Sequence, residues 1–111
     1  MKSIIHGEVI LLGIKALPEG LKEVQVKDNF YVVGESETHG NDHRVAVKNK
    51  LKVRFYEDEK GQLFMVNETE TEIYCPKEGR HDRVVVAPGI RKIKKAMEFD
   101  HVKKQLRQVR D

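Results

Sequence analysis

The chain has 111 residues, 39% hydrophobic and 35% charged, and a formal net charge of +3. That length fits one domain able to bury a modest core without metal or disulfide staples. The apolar residues come in periodic runs, which excludes a disordered polyelectrolyte.

Taken in chain order, the dominant rhythm is of period two, the mark of strands. Ile4–Leu12 reads as an apolar first strand. In "ALPEGLKEV", Pro18 and Gly20 mark a turn, with one helical turn after it. Phe30–Val33 is strand-like, and a polar loop, "GESETHGND", follows. In His43–Lys48, Val45 and Val47 share one face, with Arg44, Ala46 and Lys48 opposite. In Leu51–Tyr56, Leu51, Val53 and Phe55 alternate with Lys52, Arg54 and Tyr56. "EDEKG" reads as a hairpin connection, and Gln62–Val66 as a central strand. "NET" is a turn, and Glu70–Cys75 puts Thr71, Ile73 and Cys75 on one side. Arg83–Val86 is a β-branched run closed by Ala87-Pro88-Gly89, a tight reversal. The segment from Ile90 to Phe99 fits a strand better than a helix, because a Pro-Gly reversal commonly returns the chain as the partner strand. A short helix follows, with Asp100 as N-cap and Val102, Leu106 and Val109 at helical spacing. Seven or so short strands without a long crossover predict a mainly β domain: a small antiparallel sandwich or barrel with a short C-terminal helix. That helix would cover an open edge.

Three histidines carry the candidate site. His43 is in phase with Val45 and Val47, so its ring should face inward at the end of a strand. Ligand pockets tend to lie at such rims. His39 lies four residues earlier across a Gly-Asn-Asp turn, and His81 opens another strand. Converging, the three would offer a divalent ion such as zinc three imidazoles and an open position. Without metal, two histidines and a carboxylate would suit acid–base work. His-x-x-x-His in a loop has no fixed geometry, unlike the same spacing on a helix. The competing reading is an exposed His39, a His43 that satisfies a loop carbonyl and a surface His81. His6 and His101 carry little weight.

Other chemistry is thinner. No nucleophile elbow surrounds Ser36 or Thr38, and no phosphate-binding or dinucleotide loop is present. The single cysteine, Cys75, excludes an internal disulfide and a zinc site built from cysteines, and fits a reducing cytoplasm. Its strand face is apolar, which favours a buried, inert thiol. The Val9–Leu12 run is flanked by His6, Glu8 and Gly13, with no cleavage site after it, unlike a secretory leader. No apolar run approaches a membrane span.

Charge is uneven. Residues 91–111 hold eight Lys/Arg and three acids, a net of +5, which leaves −2 for the rest. Lys52, Arg54 and Tyr56 share an exposed strand face of the kind that binds single-stranded nucleic acid, cations meeting phosphates and the ring stacking on a base. Opposing this, Glu70 and Glu72 share the exposed face with Tyr74, close enough along the chain to neutralise the patch. A solvated surface is the commoner meaning of such charge.

Several short pieces together resemble a family of small, uncharacterised bacterial and phage-associated proteins. They are "LPEG" at 17–20, "GESETHGNDHRV" at 34–45, "RHDRVVVAPGI" at 80–90 and "MEFD" at 97–100. The family pattern has a Gly-Glu-x-x-Thr-Gly-His-x-His loop after an initial strand of the "GEVILLGI" type. Its last histidine corresponds to His43, and a later histidine before an apolar strand corresponds to His81. This chain departs from the pattern where Gly-Asn-Asp spreads the first loop's histidines, which weakens the match at His39. The resemblance implies no activity. It supports the strand reading of Ile90–Phe99 and the pairing of His43 with His81.

The expectation is therefore a single cytoplasmic β domain, residues 1–111, with a His-lined metal or small-ligand site at one end. Two other classes fit the same residues: a single-stranded nucleic-acid or polyanion-binding module, and an interaction module that homodimerises through exposed strand edges.

Overall fold

The computed structural model describes residues 2–34, 42–76 and 83–95. The expected sites His39 and His81 and the expected C-terminal helix lie outside these residues. The described residues form ten strands: β1 (Ile4–His6), β2 (Val9–Gly13), β3 (Lys22–Val24), β4 (Phe30–Gly34), β5 (His43–Ala46), β6 (Val53–Glu57), β7 (Leu63–Asn67), β8 (Thr71–Tyr74), β9 (Val84–Val86) and β10 (Gly89–Lys95). They form two antiparallel sheets, a six-stranded one in the order β1-β2-β10-β7-β6-β3 and a four-stranded one in the order β4-β5-β8-β9. The mainly β expectation holds. The sheets stay open, so the structure is not a barrel.

One core lies between the sheets. Val9, Leu11, Phe55, Met65 and Ile93 enter it from the larger sheet, and Val33, Val45, Ile73 and Val86 from the smaller. Each large side chain removed from water there stabilises the fold by roughly 1.5–3 kcal/mol. The alternation of Val53 and Phe55 (buried) with Arg54 and Tyr56 (half-buried) matches the sequence pattern. Leu51 does not extend it. It sits in the preceding turn, held by Asn49 Oδ1 accepting from its backbone N–H, and is 78% exposed.

Three further expectations are corrected. Ile4–Leu12 is not one strand but a hairpin, folded at Gly7-Glu8 with His6 opposite Val9. Gly7 has φ of 59° and, among the described residues, no non-glycine has positive φ, which is the pattern of a two-residue hairpin turn with glycine first. After Gly20, a strand, β3, replaces the expected helical turn, because it pairs with β6 at the sheet edge. The Pro-Gly reversal does not make β9 and β10 partners. β9 pairs with β8 in the smaller sheet, while β10 crosses to lie between β2 and β7 in the larger. The strand reading of the segment from Ile90 holds through Lys95, and residues 96–99 are not among those described.

Candidate metal centre

Two pairings aim two imidazoles at each other. His6 lies opposite Val9 in the β1–β2 hairpin, and directly opposed residues share a face. Val9 is fully buried, so His6 turns inward with it and is 4% exposed. On the other sheet, His43 begins β5 in phase with buried Val45 and is also 4% exposed. The inward orientation expected for His43 is correct.

Cys75 arrives through register. Arg44 pairs with Tyr74 and Val45 with Ile73, so one step further along β5 and β8 sets Cys75 beside His43. The Sγ lies 3.6 Å from His43 Nδ1, and His6 Nδ1 lies 2.8 Å from that same nitrogen. The two rings meet edge to face, 5.0 Å between centroids. All three donor atoms fall within 4.8 Å of one another.

The far side of His43 is fixed too. Glu8, from the hairpin turn, accepts a hydrogen bond from His43 Nε2 at 2.9 Å. A neutral imidazole has one protonated nitrogen. With Nε2 donating to the carboxylate, Nδ1 presents its lone pair toward His6 and Cys75. A carboxylate on the outer nitrogen of a metal-ligating histidine is a recurrent arrangement, which sets ring orientation and raises basicity.

Glycines make the room. At Gly7, a Cβ would stand 2.7 Å from His43 Cε1. At Gly34, opposite His43 across a β-bulge, a Cβ would stand 2.3 Å from Val9 Cγ2. The bulge between Val32 and Gly34 lets the backbone close over the imidazole.

The donor set suits a borderline or soft ion. Thiolate and imidazole favour zinc and its neighbours over magnesium or calcium. A tetrahedral ion with bonds of ~2.0–2.1 Å to nitrogen and ~2.3 Å to sulfur would separate nitrogen and sulfur by ~3.6 Å and two nitrogens by ~3.3 Å. The Cys75–His43 separation matches, and the His6–His43 distance is that of a hydrogen bond, which a bound ion would lengthen by about half an ångström. The same atoms also resemble a thiol–imidazole–carboxylate relay. Against that role, His6 occupies the nitrogen that would have to take the thiol proton.

Of the expected ligands, His43 alone is among the described residues. His6 and Cys75 carry little weight in the sequence pattern. An isolated histidine beside a glycine on an apolar strand, and a lone cysteine on an apolar face, carry no spacing signal. The clue to His6 was "HGE", a histidine and a glutamate separated by a glycine able to turn the chain. The inert-thiol expectation for Cys75 is amended. The residue is only half-buried and touches an imidazole.

The basic patch is partly neutralised. Arg54 Nη2 lies 3.0 Å and Lys52 Nζ 3.7 Å from the two carboxylate oxygens of Glu68. Glu72, one of the two acids expected to do this, instead pairs with Arg83. Tyr56 stands on the same outer face as Arg54.

No family model, no curated protein and no solved structure matches this chain. Among the described residues, no helix is long and apolar enough to cross a membrane.

Proposed function

We propose that His6, His43 and Cys75 form a binding centre for a transition-metal ion of the zinc type, with Glu8 holding His43 in its ligating tautomer. The convergence of two buried imidazoles and a thiol within 4.8 Å carries this reading. The ion would serve as the anchor for a small ligand at the rim of the two sheets, and His39 and His81 are the further ligands the sequence suggests. Bound there, it would supply Lewis acidity. The chain's own residues fix the donors and exclude water from His6 and His43.

The test is metal content of the full chain purified without a His tag, followed by cobalt titration of the metal-free protein. A thiolate-to-cobalt absorption band at one equivalent is expected. His6→Ala, His43→Ala and Cys75→Ser should each abolish it. His39→Ala and His81→Ala would report on the two ligands suggested by the loops. Folded protein that gives neither stoichiometric metal nor a cobalt band would end the proposal. The nucleic-acid reading is less favoured, since Glu68 already engages Lys52 and Arg54.

A further inference from the structure

The outer face of the larger sheet, which the core does not use, sets apolar side chains among the cations Arg54, Lys92 and Lys94. Cross-strand pairing sets Tyr56, Phe64, Lys92 and Leu12 in one row, on the side opposite Phe55, Met65 and Arg91. Adjacent rows on the same side hold Arg54 with Val66 and Ile90, and Ile10 with Lys94. Phe64 does not belong to the core cluster between the sheets, yet it is only 4% exposed. A phenylalanine in the middle of an outer sheet face stays that dry only under a cover.

We propose that this face is the docking surface for the chain's own residues 96–111, seated as an amphipathic helix over Phe64. Connection is the first argument. The segment continues from Lys95, the end of β10, a strand that itself runs through the middle of this face. Phe64 is level with Lys92, three residues back along β10, a distance of ~10 Å. Residues 96–99, extended, span up to ~13 Å, enough to turn back. A helix over 100–110 would be ~16 Å long and would cross three strands spaced ~4.8 Å apart. Pattern is the second. Val102, Leu106 and Val109 fall at i, i+4 and i+7, one apolar stripe. Seating that stripe leaves Lys103, Lys104, Arg107 and Arg110 toward water, which accounts for a strongly basic end on a near-neutral body.

The test uses the full chain. Hydrogen exchange should show amides of residues 101–109 slowed roughly tenfold or more relative to an unstructured peptide. The protein has no tryptophan, so Leu106→Trp introduces a single indole. Its emission should be blue-shifted, and Phe64→Ala should return it toward the solvated value. Exchange at the unstructured rate, or a solvated indole indifferent to Phe64, overturns the proposal. So does a dimer by light scattering in which Phe64 becomes exposed on dilution while residues 101–109 stay unprotected, since the cover would then be a second copy. Metal content plays no part in these readouts, so this inference and the metal reading fail separately.

Discussion

His43 is held by what its neighbours lack as much as by what they offer. Gly34→Ala would drive a methyl to 2.3 Å from Val9 Cγ2. Val9 is fully buried and β-branched, so it has no rotamer to retreat into. A loss of about 1–3 kcal/mol in urea unfolding is expected, with weakened cobalt binding as the ring shifts. Gly20→Ala is the control: it meets nothing within 4 Å and carries only the strain of φ 79°, so it should leave cobalt binding unchanged. Glu8→Gln keeps an acceptor opposite Nε2 but removes the charge. Metal affinity should fall about 10–100-fold by competition titration, with the unfolding midpoint of the metal-free protein little altered. Tyr31 gives a prediction in pH. Burial, and then the Glu57 carboxylate, push its phenol above the ordinary tyrosine value. The unfolded chain therefore releases that proton first. Stability should be level below about pH 10 and fall as pH rises through the folded-state value, and Tyr31→Phe should remove that part of the fall.

At the scale of elements, local alternation told which residues face the core but not which strands meet. Val45, Val47, Val53, Phe55 and Ile73 are all buried as their two-residue rhythm requires. The β6–β7 hairpin formed where "EDEKG" foretold it, with the Asp58 carboxylate accepting from the backbone N–H groups of Lys60 and Gln62. What was illegible is non-local. That β10 leaves β9 for the larger sheet, and that β5 meets β8 so that Cys75 reaches His43, depends on pairings with no spacing signature. The first strand was misread because a run of apolar residues masks a turn whose only marker is one glycine. Asn67 shows how such a crossing is stabilised. Its amide donates to the carbonyls of Thr69, Val86 and Ala87, and its Oδ1 accepts from Arg91 Nη1 at 3.3 Å. Arg91 also donates to the carbonyls of Ala87 and Lys2, and its burial holds the guanidinium below its ordinary value. Together they tie the reversal before β10 to β7 and to the start of the chain. Asn67→Ala would strand buried carbonyls and part of a buried cation. A loss of about 2–4 kcal/mol is expected from urea denaturation, against well under 1 kcal/mol for Lys60→Ala at the exposed hairpin tip.

Across the whole molecule, the three donors stand on separate pieces of chain that only the folded state brings together. His6 belongs to the edge hairpin of the larger sheet, while His43 begins β5 of the smaller sheet and Cys75 directly follows β8, its partner strand. An ion held by all three would pin one sheet to the other at the rim of the core, opposite in direction along β10 from the end where Arg91 reaches Lys2. The unfolded chain keeps these donors far apart in sequence, 37 and 32 residues from His43, and so binds the ion weakly. Linkage then requires binding to appear as stability: about 2.7 kcal/mol when free ion is a hundred times its dissociation constant. For a domain of this size, 1 kcal/mol moves the melting midpoint by roughly 4–8 °C. Zinc at that excess should therefore raise the midpoint by roughly 10–20 °C, and a chelator should reverse the rise. The increment should vanish in His6→Ala, which cuts the larger sheet's sole donor of the three, and it should survive in Lys52→Ala, whose charge lies on the outer face. A midpoint that ignores zinc in a chain proven to bind it would mean that the unfolded chain binds the ion as tightly, and that the ion is not held by a site which folding assembles from the three donors.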